Sequence, residues 1–294
     1  MSQNKAVSDL DTNFIIALGA GVASMSQKGQ QIVRVGVIGC GEAAQVIHIP
    51  TLNNFNEFFQ ITYLCDTSEH ALNHCEGKVV GAVRPTLTKR AEDVCSSPDV
   101  DLVFVINSNE YHAPHAVLGL QHGKNVFIEK PMAMNNRDVK LILEAEKQSK
   151  GTVMVGYMRR WATAFQDALE EIGGLEEITY ARVRDIIGRN AYFVEQSGSF
   201  PKRFSDYSYE DSRDLASRNE DWNRQGLTHD LGIPVTEQSK AMWLLFGGLG
   251  SHDLSLMREA LGMPQAVLGC SLRANTPFWK YELMSCGRTA SEEC

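Results

Sequence analysis

The stretch Val33–Ala44, VRVGVIGCGEAA, constrains this chain more than any other. An alternating run of Val and Ile stops at Gly39, passes through Cys40 and Gly41, and becomes Ala-rich from Glu42 onward. That is the pattern of a strand, a tight turn and a helix. The spacing Gly39-x-Gly41-x-x-Ala44 is a dinucleotide fingerprint with a steric reason at each position. Gly39 permits the turn, Gly41 lets backbone N–H groups approach a pyrophosphate, and Ala44 is small enough for the helix to pack on the strand. The diphosphate would rest on the free amides and positive end of the helix dipole.

A second strand, Phe59–Cys65, ends at Asp66, about where a ribose-binding acid is expected. A carboxylate there accepts hydrogen bonds from ribose hydroxyls and repels a 2′-phosphate, and no Arg follows closely. The expected cofactor is therefore NAD, with NADP left open. Asp66 could equally serve as an N-cap for a helix from Thr67.

At 294 residues the chain has the length of two domains. A net charge of −8 argues against nucleic-acid binding, which needs clustered Lys and Arg. The seven cysteines are scattered, with no C-x-x-C pair, as expected of reduced thiols in a cytoplasmic protein with no metal site. Residues 1–30 contain the apolar run Phe14–Leu18, which is too short to span a bilayer, and the acidic Asp9 and Asp11 precede it, unlike a signal peptide. They are expected to form an N-terminal extension.

Beyond Asp66 short apolar strands alternate with helical segments, the signature of a parallel α/β sheet covered on both faces. Helices are expected over Ser68–Cys75, Lys89–Ser96, His112–His122 and Asn135–Lys150. Strands are expected near Ala82–Thr86 and over Val100–Asn107, Asn125–Glu129 and Gly151–Tyr157. The first domain then runs from 31 to 157. In the remainder, 158–294, Arg160–Ile172 looks helical and Glu177–Ile187 looks like a strand. Asn190–Ser239 is polar and poorly periodic, as in a long functional loop. A helical region starts near Lys240, is interrupted by Gly247, Gly248 and Gly250, and resumes over Ser251–Leu261. Pro264–Arg273 and Phe278–Met284 read as strands.

In doubly wound sheets the ligand lies outside the carboxyl ends of the strands. Those ends deliver Asn107-Ser108-Asn109 with Glu110-Tyr111-His112, then Glu129-Lys130-Pro131, then Tyr157-Met158-Arg159-Arg160. Together with GVIGCGEAA, the run HGKNVFIEKP and the later GSHDLSLMREALG, these residues resemble the glucose–fructose oxidoreductase, inositol dehydrogenase and rhizopine-catabolism (Gfo/Idh/MocA) family. The resemblance is close over about 33–160 and looser over about 240–284.

The resemblance implies a Rossmann domain followed by an α+β domain. The second domain's mixed, mostly antiparallel sheet would carry the substrate site and a homo-oligomer interface. It implies an NAD(P)-dependent oxidoreductase of small polar substrates such as sugars and polyols, with no role for nucleic acid or membrane. Lys130 would be the catalytic acid/base, aimed by Pro131 with a plausible cis peptide bond. Asn107, Asn109, His112, Glu129 and Arg160 would line the cofactor beside Gly39, Gly41, Ala44 and Asp66. His252 matches a second catalytic residue that the family usually pairs with an Asp four positions earlier. That position is Gly248 here. Asp253 cannot substitute, because neighbouring helical residues point about 100° apart. Its expected role is at the positive end of a helix dipole, with Ser251 as the cap.

The chain also stops where family members continue their large sheet, as a shortened product or a variant completed by a partner chain would. The missing carboxylate leaves open an alternative: a catalytically inactive nucleotide-binding sensor or regulator of the same fold.

Overall fold

Val33–Ile38 forms β1 at the centre of a six-stranded, wholly parallel sheet of order β3-β2-β1-β4-β5-β6. The other strands are β2, Phe59–Cys65; β3, Thr86–Thr88; β4, Leu102–Val105; β5, Asn125–Ile128; and β6, Val153–Val155. The computed structural model describes residues 32–81, 83–173, 178, 180–183, 194–264 and 266. Their contacts define two compact units, residues up to 156 with 188–247, and residues 157–187 with those from 248.

In the first unit the crossovers are helical. A π-helical turn, Ala44–His48, runs into α1, Ile49–Asn54; α2 is Glu69–Glu76, α3 Ala91–Ser96, α4 His112–Gln121 and α5 Asn136–Gln148. Two apolar clusters cover the two sheet faces. Val35, Val37, Leu64, Ala44, Ile49 and Leu72 fill one, and Ile38, Val103, Val105, Val126, Ala116 and Ile142 fill the other. Each such aliphatic side chain contributes about 1.5–3 kcal/mol when fully buried. The alternation of β1 between the clusters makes it the strand about which the rest is layered.

The third strand lies slightly beyond its expected position near Ala82–Thr86. Pro85 has no N–H to give a ladder, so pairing begins at Thr86, opposite Tyr63. A larger correction concerns Asn190–Ser239, which is not one long loop. Ser208 and Asp211 form a reciprocal capping box that starts α6, Tyr209–Asn223, continuing into a π-helical turn, Arg224–Asp230. This helix belongs to the first unit. Trp222 and Leu227 are buried, Tyr111 Oη donates to Asp214 at 2.6 Å, and Arg137 Nη1 donates to Asp221 at 2.7 Å.

Thr236 caps the next helix, α7, Glu237–Leu245, which passes without a break into the π-helical turn Phe246–Gly250. Of the glycines expected to interrupt it, Gly247 is required by packing, whereas a Cβ on Gly248 would meet nothing within 4 Å. A Cβ on Gly247 would lie 1.7 Å from Met134 Sδ.

In the second unit a 3₁₀ turn, Met158–Trp161, precedes α8, Thr163–Ile172, and α9 is Ser251–Leu261. Ser251 does not cap α9, because Gly250 before it is already helical and the helix end expected there does not exist. Asp253 instead accepts from Arg159 Nη1 at 2.9 Å. Within the expected strand Glu177–Ile187, the described residues 178 and 180–183 lie in no strand. The rest of it, residues 1–31 and the expected strands at Pro264–Arg273 and Phe278–Met284 lie outside the described residues, save 264 and 266, which are in no strand. Among the described residues no helix is long and apolar enough to cross a membrane.

Candidate functional site

The sheet order reverses between β1 and β4, and the crevice at their carboxyl ends is where such a fold takes a ligand. Gly39 ends β1 with φ of +112°, and a Cβ there would stand 2.7 Å from Asn107 N. Only glycine satisfies both constraints. Gly41 is the opposite case, since its added Cβ would meet nothing within 4 Å. Ala44 is fully buried in the core, as its place in the fingerprint requires.

Asp66 closes on this loop from β2. Its Oδ2 accepts from Cys40 N at 2.8 Å and its Oδ1 from Ser68 N at 2.9 Å. Burial raises its pKa above the ordinary value, outweighing these amide bonds. Asp66 is not the helix cap. That role falls to Ser68, whose Oγ accepts from Ala71 N at 2.9 Å.

At the end of β4, Asn107 Nδ2 donates to His115 Nδ1 at 2.8 Å. Burial brings the His115 pKa down to about 4, so the ring is neutral and available as an acceptor. Asn107 Oδ1 is buried without a hydrogen-bond partner. Asn109 opens a 3₁₀ turn, Asn109–Tyr111. His112 follows it, 1% exposed, with Nδ1 at 2.8 Å from Pro131 O and Nε2 at 3.1 Å from Asn107 O. Burial lowers its pKa while the two carbonyls pull it up, and the ring braces the ends of β4 and β5.

Lys130 leaves β5 on a cis Lys130–Pro131 bond, as the sequence suggests. The preceding Glu129 is held at both oxygens: Oε1 lies 2.8 Å from His48 Nε2, and Oε2 accepts from Lys130 N at 3.0 Å. Burial pushes the Glu129 pKa up, but His48 and the Lys130 amide and ammonium more than offset this and leave it below the ordinary value. His48 stands edge-on to Phe104 and Phe127, whose rings stack at 4.6 Å. Sequence reasoning missed His48. Its spacing from Ala44 and Leu52 marks only a core-facing helix position, and its partner is 81 residues away.

In the second unit, His252 is buried on α9, with the Tyr157 ring edge-on at 6.0 Å. Arg160 is held by Glu259, its Nε donating at 3.0 Å. Among the described residues no group of three or more His, Cys, Asp or Glu side chains could hold a metal ion.

The first unit thus offers a glycine loop with open space at Gly41, an acid anchored beside it and an orphaned amide oxygen at Asn107. These features fit a dinucleotide, whose phosphates and hydroxyls supply the missing partners. Residues 33–157 match the family model described as Gfo/Idh/MocA oxidoreductase, NAD-binding Rossmann fold. Over these residues the chain is similar to the NAD-binding domain of that family. Inositol 2-dehydrogenase 3 of Saccharopolyspora erythraea is 35% identical to the chain over 146 residues, 49% of this chain and 42% of that protein. Inositol 2-dehydrogenase of Salmonella typhimurium is 31% identical over 139 residues, 44% of this chain and 38% of that protein. The chain therefore covers less than half the length of these two relatives. The solved structure of YvaA from Bacillus subtilis shares the fold, with a TM-score of 0.55 at 20% identity over 88% of this chain and 62% of that one. NAD is the cofactor that this match gives to residues 33–157.

Proposed function

We propose that this chain is an NAD-dependent oxidoreductase that interconverts a secondary alcohol and a carbonyl on a cyclic polyol or sugar-like substrate in the cytoplasm. The observation that carries this is the setting of Lys130: an ammonium at the carboxyl end of β5, on a cis-proline turn braced by His112 and anchored through Glu129 and His48. The inositol dehydrogenases among its relatives support the substrate class.

Bound NAD supplies the acceptor for hydride. Gly39, Gly41 and Ala44 would seat the diphosphate, Asp66 the ribose hydroxyls, and Asn107 and Asn109 the neighbouring part of the dinucleotide. The Lys130 ammonium stabilises negative charge on the substrate oxygen, and its neutral form takes the hydroxyl proton. Glu129 keeps the strand end in register, so the lysine does not wander. His252 assists with the proton, and Arg160 contacts substrate or cofactor. The second domain completes an α+β sheet through which the chain forms a homo-oligomer.

Purified protein should reduce NAD with some member of a panel of cyclic polyols and sugars, followed by nicotinamide absorbance. Lys130→Met should lower turnover by about 10²–10⁴-fold with NAD binding retained. Unchanged turnover in that variant would dismiss the mechanism.

One observation favours a second reading, a nucleotide-binding regulator without turnover. Gly248 stands where the family pairs an Asp with the histidine, and the nearby Asp253 is engaged by Arg159. NADH binding without turnover on any panel member, with a co-purifying partner protein, would select it.

A further inference from the structure

Residues 199–206 run across the helical turns that follow the glycine loop and β2. Lys78 Nζ donates to Ser199 O at 3.1 Å, the Lys202 backbone makes two bonds to the Gln45 side chain, at 2.8 and 3.1 Å, and Phe204 packs on the cluster containing Ala44 and Leu72. Gln45 Nε2 in turn donates to Cys40 O at 3.0 Å, which ties this segment to the glycine loop itself. The run ends with Asp206 at the first turn of α2. Its Oδ1 accepts from Ser68 Oγ at 2.5 Å and its Oδ2 from His70 N at 3.1 Å, and His70 Nδ1 lies 3.7 Å away.

This position has a chemical meaning because of Asp66. Residues just after a ribose-binding acid are the ones that meet whatever the ribose 2′ oxygen carries. A 2′-hydroxyl needs only an acceptor, and Asp66 is one. A 2′-phosphate needs donors and positive charge, which a hydroxyl and free amides at a helix N-terminus would supply. Here Ser68 Oγ–H and His70 N–H are both taken by a carboxylate. Two cations on these segments also lie near carboxylates, Lys89 at 3.8 Å from Glu69 and Arg203 at 3.9 Å from Glu42. The Asp206 charge is persistent, since the Ser68 bond chiefly holds its pKa down to about 2, and it is close enough to Asp66 to push that carboxyl up.

We infer that Asp206 is a specificity-determining residue: with Asp66 it selects NAD against NADP by occupying the donors that a 2′-phosphate would need. This rests on the first unit binding a nicotinamide dinucleotide, and the test separates the two claims.

NADH and NADPH are titrated separately, by nicotinamide fluorescence, into the full chain and its Asp206→Ala and Asp206→Asn variants, with thermal melts of each. The unaltered chain should bind NADH at least about tenfold more tightly than NADPH. Asp206→Ala, which frees both donors, should lower the ratio of the NADPH and NADH dissociation constants by about tenfold or more. Asp206→Asn, which removes the charge but leaves one acceptor oxygen for the two donors, should lower it by less. The inference is overturned if the ratio is unchanged in both variants while NADH still binds. It is equally overturned if the unaltered chain binds NADPH as well as NADH, or if neither variant binds NADH, which would make Asp206 a structural clamp. Binding of neither dinucleotide by folded, unaltered protein would overturn the NAD-binding reading as well.

Discussion

His48 Nε2 lies 2.8 Å from Glu129 Oε1, joining the first helical segment after the glycine loop to the strand end that presents Lys130. Removing the imidazole leaves a largely buried carboxylate short of its main partner. His48→Ala should cost about 2–3 kcal/mol in chemical denaturation. The pH dependence follows from the depressed Glu129 pKa. Its stabilising contribution is fully present above the ordinary value of 4.5 and is lost as pH falls through the lower folded value. Glu129→Gln should be less stable near neutrality and lose less stability than the unaltered chain on acidification.

Two glycines two positions apart should respond in opposite ways. Gly39→Ala forces a methyl group to 2.7 Å from the Asn107 amide at φ of +112° and should destabilise the first unit by about 2–4 kcal/mol. Gly41→Ala meets no neighbour within 4 Å and should leave the denaturant midpoint nearly unchanged while weakening NADH binding in a fluorescence titration. Equal loss of stability in the two variants would contradict the assignment of Gly41 to ligand approach.

Asp66 should make dinucleotide affinity fall on the acid side. Burial raises its pKa above 3.8, so it protonates earlier than an ordinary aspartate and then keeps fewer lone pairs for ribose hydroxyls. NADH titrations over descending pH should show weakening with a midpoint above 3.8. For the free protein the sign is reversed. A raised folded pKa contributes stability when the group is protonated, and that contribution is lost as pH rises through the folded value.

Much of the first unit is legible in local sequence. Short alternating or continuous apolar runs mark the strands, Gly39 and Gly123 mark turns that the structure makes with positive φ, and Asn135 stands as the cap of α5. What stayed hidden depends on partners distant in sequence. The His48–Glu129 and Ser68–Asp206 pairs join residues 81 and 138 positions apart, and nothing local distinguishes them from core or surface residues. The helix Tyr209–Asn223 was hidden for a different reason. It is so polar that periodicity fails, although Ser208-x-x-Asp211 is a capping signature available in the sequence.

That cap can be tested. Ser208→Ala removes the hydroxyl that accepts from Asp211 N at 3.0 Å and should cost about 1 kcal/mol, read from the thermal or denaturant midpoint. Trp222→Ala, at the other end of the helix, removes a side chain 3% exposed and should cost about 3–5 kcal/mol.

The central claim is that the crevice beside Gly39 and Gly41 holds NAD. Calorimetric titration of the folded chain with NAD measures this directly. Saturable binding is expected, with a gain in stability of about 2.7 kcal/mol at a hundredfold excess over Kd. Folded protein that gives no binding heat and no thermal shift with NAD or NADH would contradict the account.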